Sequence, residues 1–255
     1  MALTFVIPLR NATVTDQWPL VEQLCRETVA SVLAQDCPDF QAIVVCKEEP
    51  DLGQNLPAQL TVISDEFPDP PSHKEQLADK YRKLQRGLVE VRTRINSEDS
   101  THVMVVDADD LVSRRLAGFV AERRDQPGWI FEQGYYHQAG KQRVVLHDDF
   151  HLYCGTSAIV RCRAEDLPES MNQPKEEIPI LAAGHHEIAK RHAEAETPLT
   201  PLPFPGAVYR VETGENWTNF AYRDVESRKY HLKRLLRTRP LGARLRDEFT
   251  FPEPH

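Results

Sequence analysis

The sequence lacks paired cysteines and long apolar runs. Its five cysteines are odd in number and include no C-x-x-C pair, which argues against a disulfide framework and against a cysteine-rich zinc site. A membrane-spanning helix needs roughly 18 apolar residues, and no stretch approaches that length. The chain runs from Met1 directly into the apolar segment LTFVIPL without a basic leader. We therefore expect a cytoplasmic protein with reduced cysteines.

Glycine-rich phosphate loops are absent as well. Neither a P-loop nor a G-x-G-x-x-G motif occurs anywhere in the chain, which argues against P-loop kinases and Rossmann dehydrogenases. The loop after the first predicted strand, LRNATVTDQ, contains no glycine. A sugar nucleotidyltransferase would need a glycine-rich, basic loop at that place.

Charge is unevenly distributed along the chain. The formal net charge is -8, which argues against nucleic-acid binding. Residues 223–246 run against this balance, with nine Lys or Arg and only two acids. Such a run is typical of a solvated helix face. The alternative is peripheral contact with an anionic membrane surface or a phosphorylated ligand, with Leu232, Leu235 and Leu236 on the apolar side.

The apolar pattern predicts alternating strands and helices in the first half of the chain. Short apolar runs suit strands buried on both faces, and three- and four-residue spacing suits amphipathic helices. The order predicts an α/β domain with a mostly parallel sheet and helices on both faces. The predicted strands are 3–8, 40–46, 60–64 and 102–106, and the predicted helices are 18–35, a long one with an apolar stripe from Leu77 to Ile95, and one capped by Ser113.

The pattern changes after residue 125. Segments 128–138 and 141–147 predict a hairpin around Ala139 and Gly140. A strand at 157–162, a helix near 185–195 and a strand at 206–212 follow. We therefore place a boundary near residue 125, with the second half adding strands and the substrate side.

Three aspartates stand at the end of the strand predicted at 102–106. Carboxylates as close as Asp107, Asp109 and Asp110 repel one another unless a cation or a proton intervenes. Two carboxylates from one turn suit Mg²⁺ or Mn²⁺, whose other positions are usually filled by water and substrate phosphates. Ligands of such sheets also bind at the carboxyl ends of strands. The alternative is an acidic cluster that complements the dipole of the following helix.

Taken together, these segments resemble the GT-A fold glycosyltransferases of the family 2 type. The resemblance rests on FVIPLRN, SVLAQ, AIVVC, a K-x-x-x-G helix, MVVDADDLVS and CGTSAIVR, and extends to about residue 220. It implies a Rossmann-like GT-A sheet with an appended C-terminal helix. It also implies a hexosyltransferase that moves a sugar from a UDP or GDP donor to the hydroxyl of an unknown acceptor. Its parts would be a nucleotide-sugar-binding half (1–125), an acceptor and catalytic half (126–220), and a basic helix and tail (221–255).

The resemblance also implies roles for individual residues. Asp107 would lie by the ribose, and Asp109 would hold Mn²⁺ or Mg²⁺ against the diphosphate, where the ion stabilises the charge of the leaving group. Asp107 and His185 are further candidate metal ligands. The other candidate donor contacts are Pro8, Leu9, Arg10, Glu48, Lys83, Ala108 and Gly155.

The segment GHHE, residues 184–187, is where we expect the general base. Inverting transfer needs a base for the acceptor hydroxyl, normally a carboxylate. Relatives often carry a Glu-Asp pair at a helix start here, whereas this chain has His185, His186 and Glu187. Glu187 or His186 is therefore the candidate base, and inversion or retention stays open. A polar helix start without chemistry is the alternative.

Two other functions fit part of the pattern. A haloacid dehalogenase-like phosphatase also has an apolar strand that ends in D-x-D, although its motif usually lies near the N-terminus. A catalytically degenerate module would bind a sugar nucleotide without turning it over. The intact acids argue against the second alternative.

Overall fold

The first half of the chain alternates strands with helices, as its apolar pattern predicts. The structure, a computed structural model, describes residues 1–96, 98–182, 184–214 and 236–252. The elements up to residue 121 are β1 (Leu3–Pro8), α1 (Trp18–Leu33), β2 (Phe40–Cys46), β3 (Leu60–Ser64), α2 (His73–Thr93), β4 (Ser100–Val105), β5 (Leu111–Val112) and α3 (Leu116–Ala121).

The second half adds mostly short strands. Its elements are β6 (Gly128–Ile130), β7 (Gly134–Gln138), β8 (Arg143–His147), β9 (Ala158–Arg163), α4 (Ile188–Glu194), β10 (Thr200–Pro201), β11 (Ala207–Val211), β12 (Thr238–Pro240) and α5 (Ala243–Phe249). β7 and β8 form the predicted antiparallel hairpin. The single strand predicted at 128–138 is wrong, because β6 belongs to another sheet. β6 is buried throughout, whereas burial alternates along the start of β7. The segment 128–138 therefore contains two different burial patterns, one for each strand.

The central sheet orders its strands β10-β6-β9-β4-β1-β2-β3. Within it, β4, β1, β2 and β3 are parallel, while β9 runs antiparallel to β4 and to β6. The fold is therefore the predicted mixed α/β class, a central sheet flanked by helices. Strands from both sides of residue 125 share this sheet. The division of the chain into functional parts stays a prediction.

A second sheet orders its strands β12-β8-β7-β11-β5. β5 follows the three aspartates directly and pairs antiparallel with β11, where Leu111 lies opposite Val208. The chain therefore leaves the central sheet and enters the second sheet within the acidic turn. This turn, residues 107–110, lies at the junction of the two sheets.

Helices cover both faces of the central sheet because neighbouring residues of a strand point to opposite sides. Phe5 and Ile7 belong to the apolar cluster under α1, and Val6 belongs to the cluster under α2. Burial of each such side chain stabilises the fold by about 1.5–3 kcal/mol. The helix residues that complete the two clusters are Val21, Cys25, Val29 and Val32 of α1 and Leu84, Leu88 and Val91 of α2.

Ser113 does not cap α3 as predicted. The helix begins after Arg115, while the hydroxyl of Ser113 bonds with the Glu248 carboxylate at 3.0 Å and accepts from the Arg115 amide at 3.3 Å. The serine hydroxyl thus closes a turn that precedes the helix. Glu248 of α5 engages the serine instead.

Most of the basic run at 223–246 lies outside the described residues, so its contact with a membrane or a phosphorylated ligand stays a prediction. In the described part of the chain, no helix has the length and apolar character needed to cross a bilayer. The cytoplasmic location also stays a prediction. All five cysteines are free thiols, and Cys37 is less buried than the others.

Gly87, in the middle of α2, lies against the sheet. A Cβ atom at this position would lie 2.5 Å from Cγ1 of Val6 and 3.2 Å from Cγ2 of Val45. Glycine in a helix is unfavourable by roughly 1 kcal/mol relative to alanine. Close approach of the helix to β1 and β2 therefore explains a residue that helix propensity disfavours.

We expect Gly87→Ala to lower the free energy of unfolding by about 1–3 kcal/mol, because the added methyl group must displace buried valine side chains. Helix propensity alone would shift stability the other way. Urea denaturation measures the difference. Ala78→Gly, at an exposed position of the same helix, is the control and should lose about 1 kcal/mol. A Gly87→Ala variant more stable than the wild type would contradict the close packing.

Candidate active site

A cavity of about 480 Å³ opens at the carboxyl ends of β1 and β4. Ligands of α/β sheets bind at this edge. Its walls come from the loop after β1, the first half of α2, the acidic turn, and segments around residues 155 and 185. The predicted site residues that line it are Pro8, Leu9, Arg10, Lys83, Asp107, Ala108, Asp109, Gly155, His185 and His186.

Two predicted site residues are not among those that line the cavity. Glu48 accepts a hydrogen bond from the amide of Ala12 at 2.9 Å and so supports the loop after β1 from behind. Glu187 is exposed at the start of α4. The structure therefore brings the two histidines to the cavity but leaves this carboxylate outside it.

Asp110 is fully buried and turns away from the cavity. Its carboxylate accepts hydrogen bonds from the Thr156 hydroxyl at 2.6 Å, the Cys154 thiol at 3.2 Å and the Arg210 amide at 3.3 Å. Burial is the main cause that raises the pKa of Asp110 well above the usual value, and the negative charges of Asp109 and Asp107 raise it further. Asp110 is thus an internal acceptor that holds the turn.

Thr156 connects both ends of the acidic turn. Its hydroxyl oxygen accepts from the amide of Asp107 at 2.9 Å while the hydroxyl donates to Asp110. The amide of Asp110 also donates to the Asp107 carbonyl at 3.0 Å. The backbone of Asp107 is therefore fixed, and its side chain is directed to the cavity.

Arg210, on β11, fixes the turn from the opposite side. Its guanidinium is almost fully buried, donates to the Asp109 carbonyl, and forms an ion pair with Glu27. It also donates to the Leu24 carbonyl at 2.9 Å and the Thr28 hydroxyl at 3.2 Å. The acidic turn is thereby tied to α1. This role could not be predicted from the sequence, because a basic residue in a strand usually indicates a solvent-exposed position.

The negative charges of the site carboxylates repel one another. Burial and the neighbouring Asp107 raise the pKa of Asp109. Lys80 forms an ion pair with Asp107. Burial alone would lower the pKa of Lys80, but the charges of Asp107, Asp109 and Asp110 outweigh it, and the pKa is raised. A cation at this place is therefore favoured strongly.

Lys83, one of the predicted donor contacts, lies inside the protein. Its ammonium donates to the Leu9 carbonyl at 2.6 Å, to the Asp79 carboxylate at 2.7 Å and to the side-chain oxygen of Asn11. Burial lowers the pKa of Lys83. An ammonium has three hydrogens to donate, so a phosphate could bind only if one of these bonds broke. Lys80, one helical turn earlier, is the α2 lysine beside the acids.

The loop after β1 is held from both sides. While Lys83 binds its inner face, the Asp69 carboxylate accepts from Thr13 at 2.8 Å, from Asn11 at 3.1 Å and from Lys47 at 2.7 Å. The hydrogen bonds from Lys47 and Thr13 lower the pKa of Asp69 to about 2. The cavity wall at Leu9 is thus preorganised.

The apolar stripe of α2 is only partly core. Leu84 is buried, but Leu77 is 43% exposed and Tyr81 half-buried, and all three line the cavity. An apolar stripe on a helix predicts core packing along its whole length. This prediction is wrong at the N-terminal end. Together with Tyr153, also 43% exposed, Leu77 gives part of the cavity an apolar wall.

Gly155 lies directly against the acidic turn. A Cβ atom there would be 2.8 Å from Oδ2 of Asp107. A larger residue at this position would push the Asp107 carboxylate out of its place. Its contact with a donor sugar stays a prediction.

The side chains at the cavity suit a divalent ion that receives most of its coordination from water and the phosphates of a bound substrate. Asp107 and Asp109 offer hard carboxylate oxygens on one turn, and burial lowers the pKa of His185 despite the opposing charge of Asp107, which favours its neutral form. Among the described residues, no group of three or more His, Cys, Asp or Glu side chains could hold a metal by itself. Magnesium commonly uses one or two carboxylates and completes its shell with water and phosphate oxygens.

Comparisons with known proteins add little. No protein-family model matches the chain, and no curated protein matches it in sequence. A crystal structure of TarS from S. aureus matches over 83% of this chain and 37% of its own, with 14% identity and a TM-score of 0.35. The chain thus spans little more than a third of that protein's length.

We expect Thr156→Val to lower the free energy of unfolding by about 3 kcal/mol, because it leaves a buried carboxylate oxygen and the Asp107 amide without their partner. Valine has nearly the shape of threonine, so the loss reports the hydroxyl. Thr156→Ser keeps the hydroxyl and should lose only about 1 kcal/mol for the missing methyl. Chemical denaturation of both variants measures this. Equal losses would show that the hydroxyl does not hold the turn.

Proposed function

We propose that the protein is a metal-dependent glycosyltransferase that moves a sugar from a nucleotide diphosphate donor to an acceptor hydroxyl. One observation supports this above the others. The acidic turn divides its carboxylates, with Asp110 used inside the protein and Asp107 and Asp109 facing the cavity. A fold that keeps two carboxylates beside a cavity despite their repulsion has a use for a cation there.

Asp107 and Asp109 are the residues that would hold Mn²⁺ or Mg²⁺. The chemistry supplied by a bound ion is Lewis-acid stabilisation of the negative charge that develops on the leaving diphosphate. The protein's part is orientation. Thr156 and Arg210 fix the backbone of the turn, so the carboxylates need little rearrangement when the donor binds.

The nucleoside would lie against the loop after β1. Pro8, Leu9 and Arg10 line the cavity there, and the bonds of Lys83 to this loop keep it in place. Nothing in these contacts selects between a uracil and a guanine base, so UDP- and GDP-sugars are both proposed donors.

His186 is the better candidate for the general base. It lines the cavity, whereas Glu187 is not among the residues that line it. In the proposed reaction the imidazole of His186 accepts the proton of the acceptor hydroxyl as that oxygen attacks the donor sugar and the diphosphate leaves. His185, beside the acids, is assigned to the donor side.

We expect Asp109→Asn to reduce Mn²⁺-dependent turnover of the donor by roughly a hundred-fold or more, because it removes a charge that holds the ion on the diphosphate. Asparagine keeps the size of the side chain and relieves repulsion with Asp107, so the fold should persist. The measurement is release of UDP or GDP from a panel of nucleotide sugars, with and without an acceptor mixture.

Asp125→Asn is the matched control, because Asp125 is an exposed aspartate remote from the turn in sequence. It should leave turnover unchanged. Full activity of Asp109→Asn would refute the assigned role. Binding of a nucleotide sugar without turnover by the wild type would favour the degenerate module, and hydrolysis of p-nitrophenyl phosphate in its place would favour the phosphatase.

A further inference from the structure

Lys80 is paired with Asp107, one of the two carboxylates that would hold the proposed divalent ion. Its ammonium forms an ion pair with Oδ1 of Asp107, and the two side chains are 35% and 25% exposed. Both are therefore within reach of the cavity, which each of them lines. The ammonium of Lys80 therefore already neutralises part of the negative charge of the acidic turn.

The two lysines of α2 differ in their freedom to move. Lys83 is fully buried and donates to oxygens of Leu9, Asn11 and Asp79. Lys80, one helical turn earlier, is partly exposed on a flexible four-carbon stem, and its ammonium can rotate without disturbing the backbone. Lys80 can thus change partner, whereas Lys83 cannot do so cheaply.

Charge decides when that change is favourable. A divalent ion that approaches Asp107 must either displace the ammonium or share the carboxylate with it, and two cations a few ångströms apart repel. A diphosphate brings several negative charges of its own, so Lys80 gains a new partner as the donor enters. Ammonium groups bind phosphate as compact point charges.

We propose that Lys80 keeps divalent ions off Asp107 until a diphosphate arrives, and then pairs with the diphosphate while Asp107 accepts the ion. This rests on the proposed function only in its second step. The first step concerns the protein alone. It makes ion binding depend on the donor, so that the ion and the nucleotide sugar enter the site together.

The test measures Mn²⁺ binding to the metal-free protein without any nucleotide. The electron paramagnetic resonance signal of free Mn²⁺ reports how much of the ion is bound. Lys80→Met keeps the length of the stem and removes the charge. It should bind one Mn²⁺ about ten-fold or more tightly than the wild type, since the competing cation is gone. Lys80→Arg keeps the charge and should resemble the wild type.

Lys190→Met is the matched control, because it removes a lysine from an exposed i,i+4 pair with Glu194 on another helix. It should not change Mn²⁺ affinity. Adding Asp107→Asn to Lys80→Met should abolish the gain. Lys80→Gln serves as a second neutral variant, and circular dichroism with thermal melting verifies that each variant is folded.

Equal Mn²⁺ affinity of the wild type and both neutral variants would overturn the proposal, as would a gain that survives Asp107→Asn or appears in Lys80→Arg. Failure of the proposed function looks different. In that case Lys80→Met still gains Mn²⁺ affinity, but no nucleotide sugar binds or is turned over by any variant. With UDP or GDP present, the wild type and Lys80→Met should differ less in Mn²⁺ affinity than without it.

Discussion

The buried carboxylate of Asp110 is the constraint on which the site depends. Burying a carboxylate is unfavourable by several kcal/mol unless hydrogen bonds compensate for the lost water. The compensation comes from Cys154 and Thr156, before β9, and from the backbone of Arg210 on β11. These partners are far apart in the chain, so they assemble only when both sheets are in register. The same contacts determine where the two outward carboxylates of the turn point.

Two cations of different character balance the acidic turn. Arg210 is buried, bound to Glu27 and to backbone oxygens, and belongs to the fixed framework. Lys80 lies at the cavity and binds a carboxylate that is itself partly exposed. A planar guanidinium with five donors suits a permanent junction, whereas a flexible ammonium suits a contact that is exchanged. The fold thus places rigid compensation inside and exchangeable compensation where a ligand can reach it.

The strands of the first half were predictable because residues buried on both faces of a sheet must be apolar, and continuous runs of such residues are easily recognised. The location of the cavity followed from Asp107 at a strand end. The choice between Lys80 and Lys83 did not follow from charge. Gly87 could have indicated that Lys83 is buried. Gly87 packs on the sheet, and a residue four positions earlier lies on the same face of the helix. The second sheet could not be predicted, because β5 has only two residues and pairs with a strand almost a hundred positions away.

Helix α2 couples the two walls of the cavity. Through Lys83 it holds the carbonyl of Leu9 in the loop after β1, and through Lys80 it reaches Asp107 in the acidic turn. How closely the helix approaches the sheet at Gly87 therefore affects where both ammonium groups lie. A shift of α2 by a methyl diameter would move both lysines together, and packed interiors transmit such shifts with little damping. Helix packing inside the core thus helps to place the positive charges around the cavity.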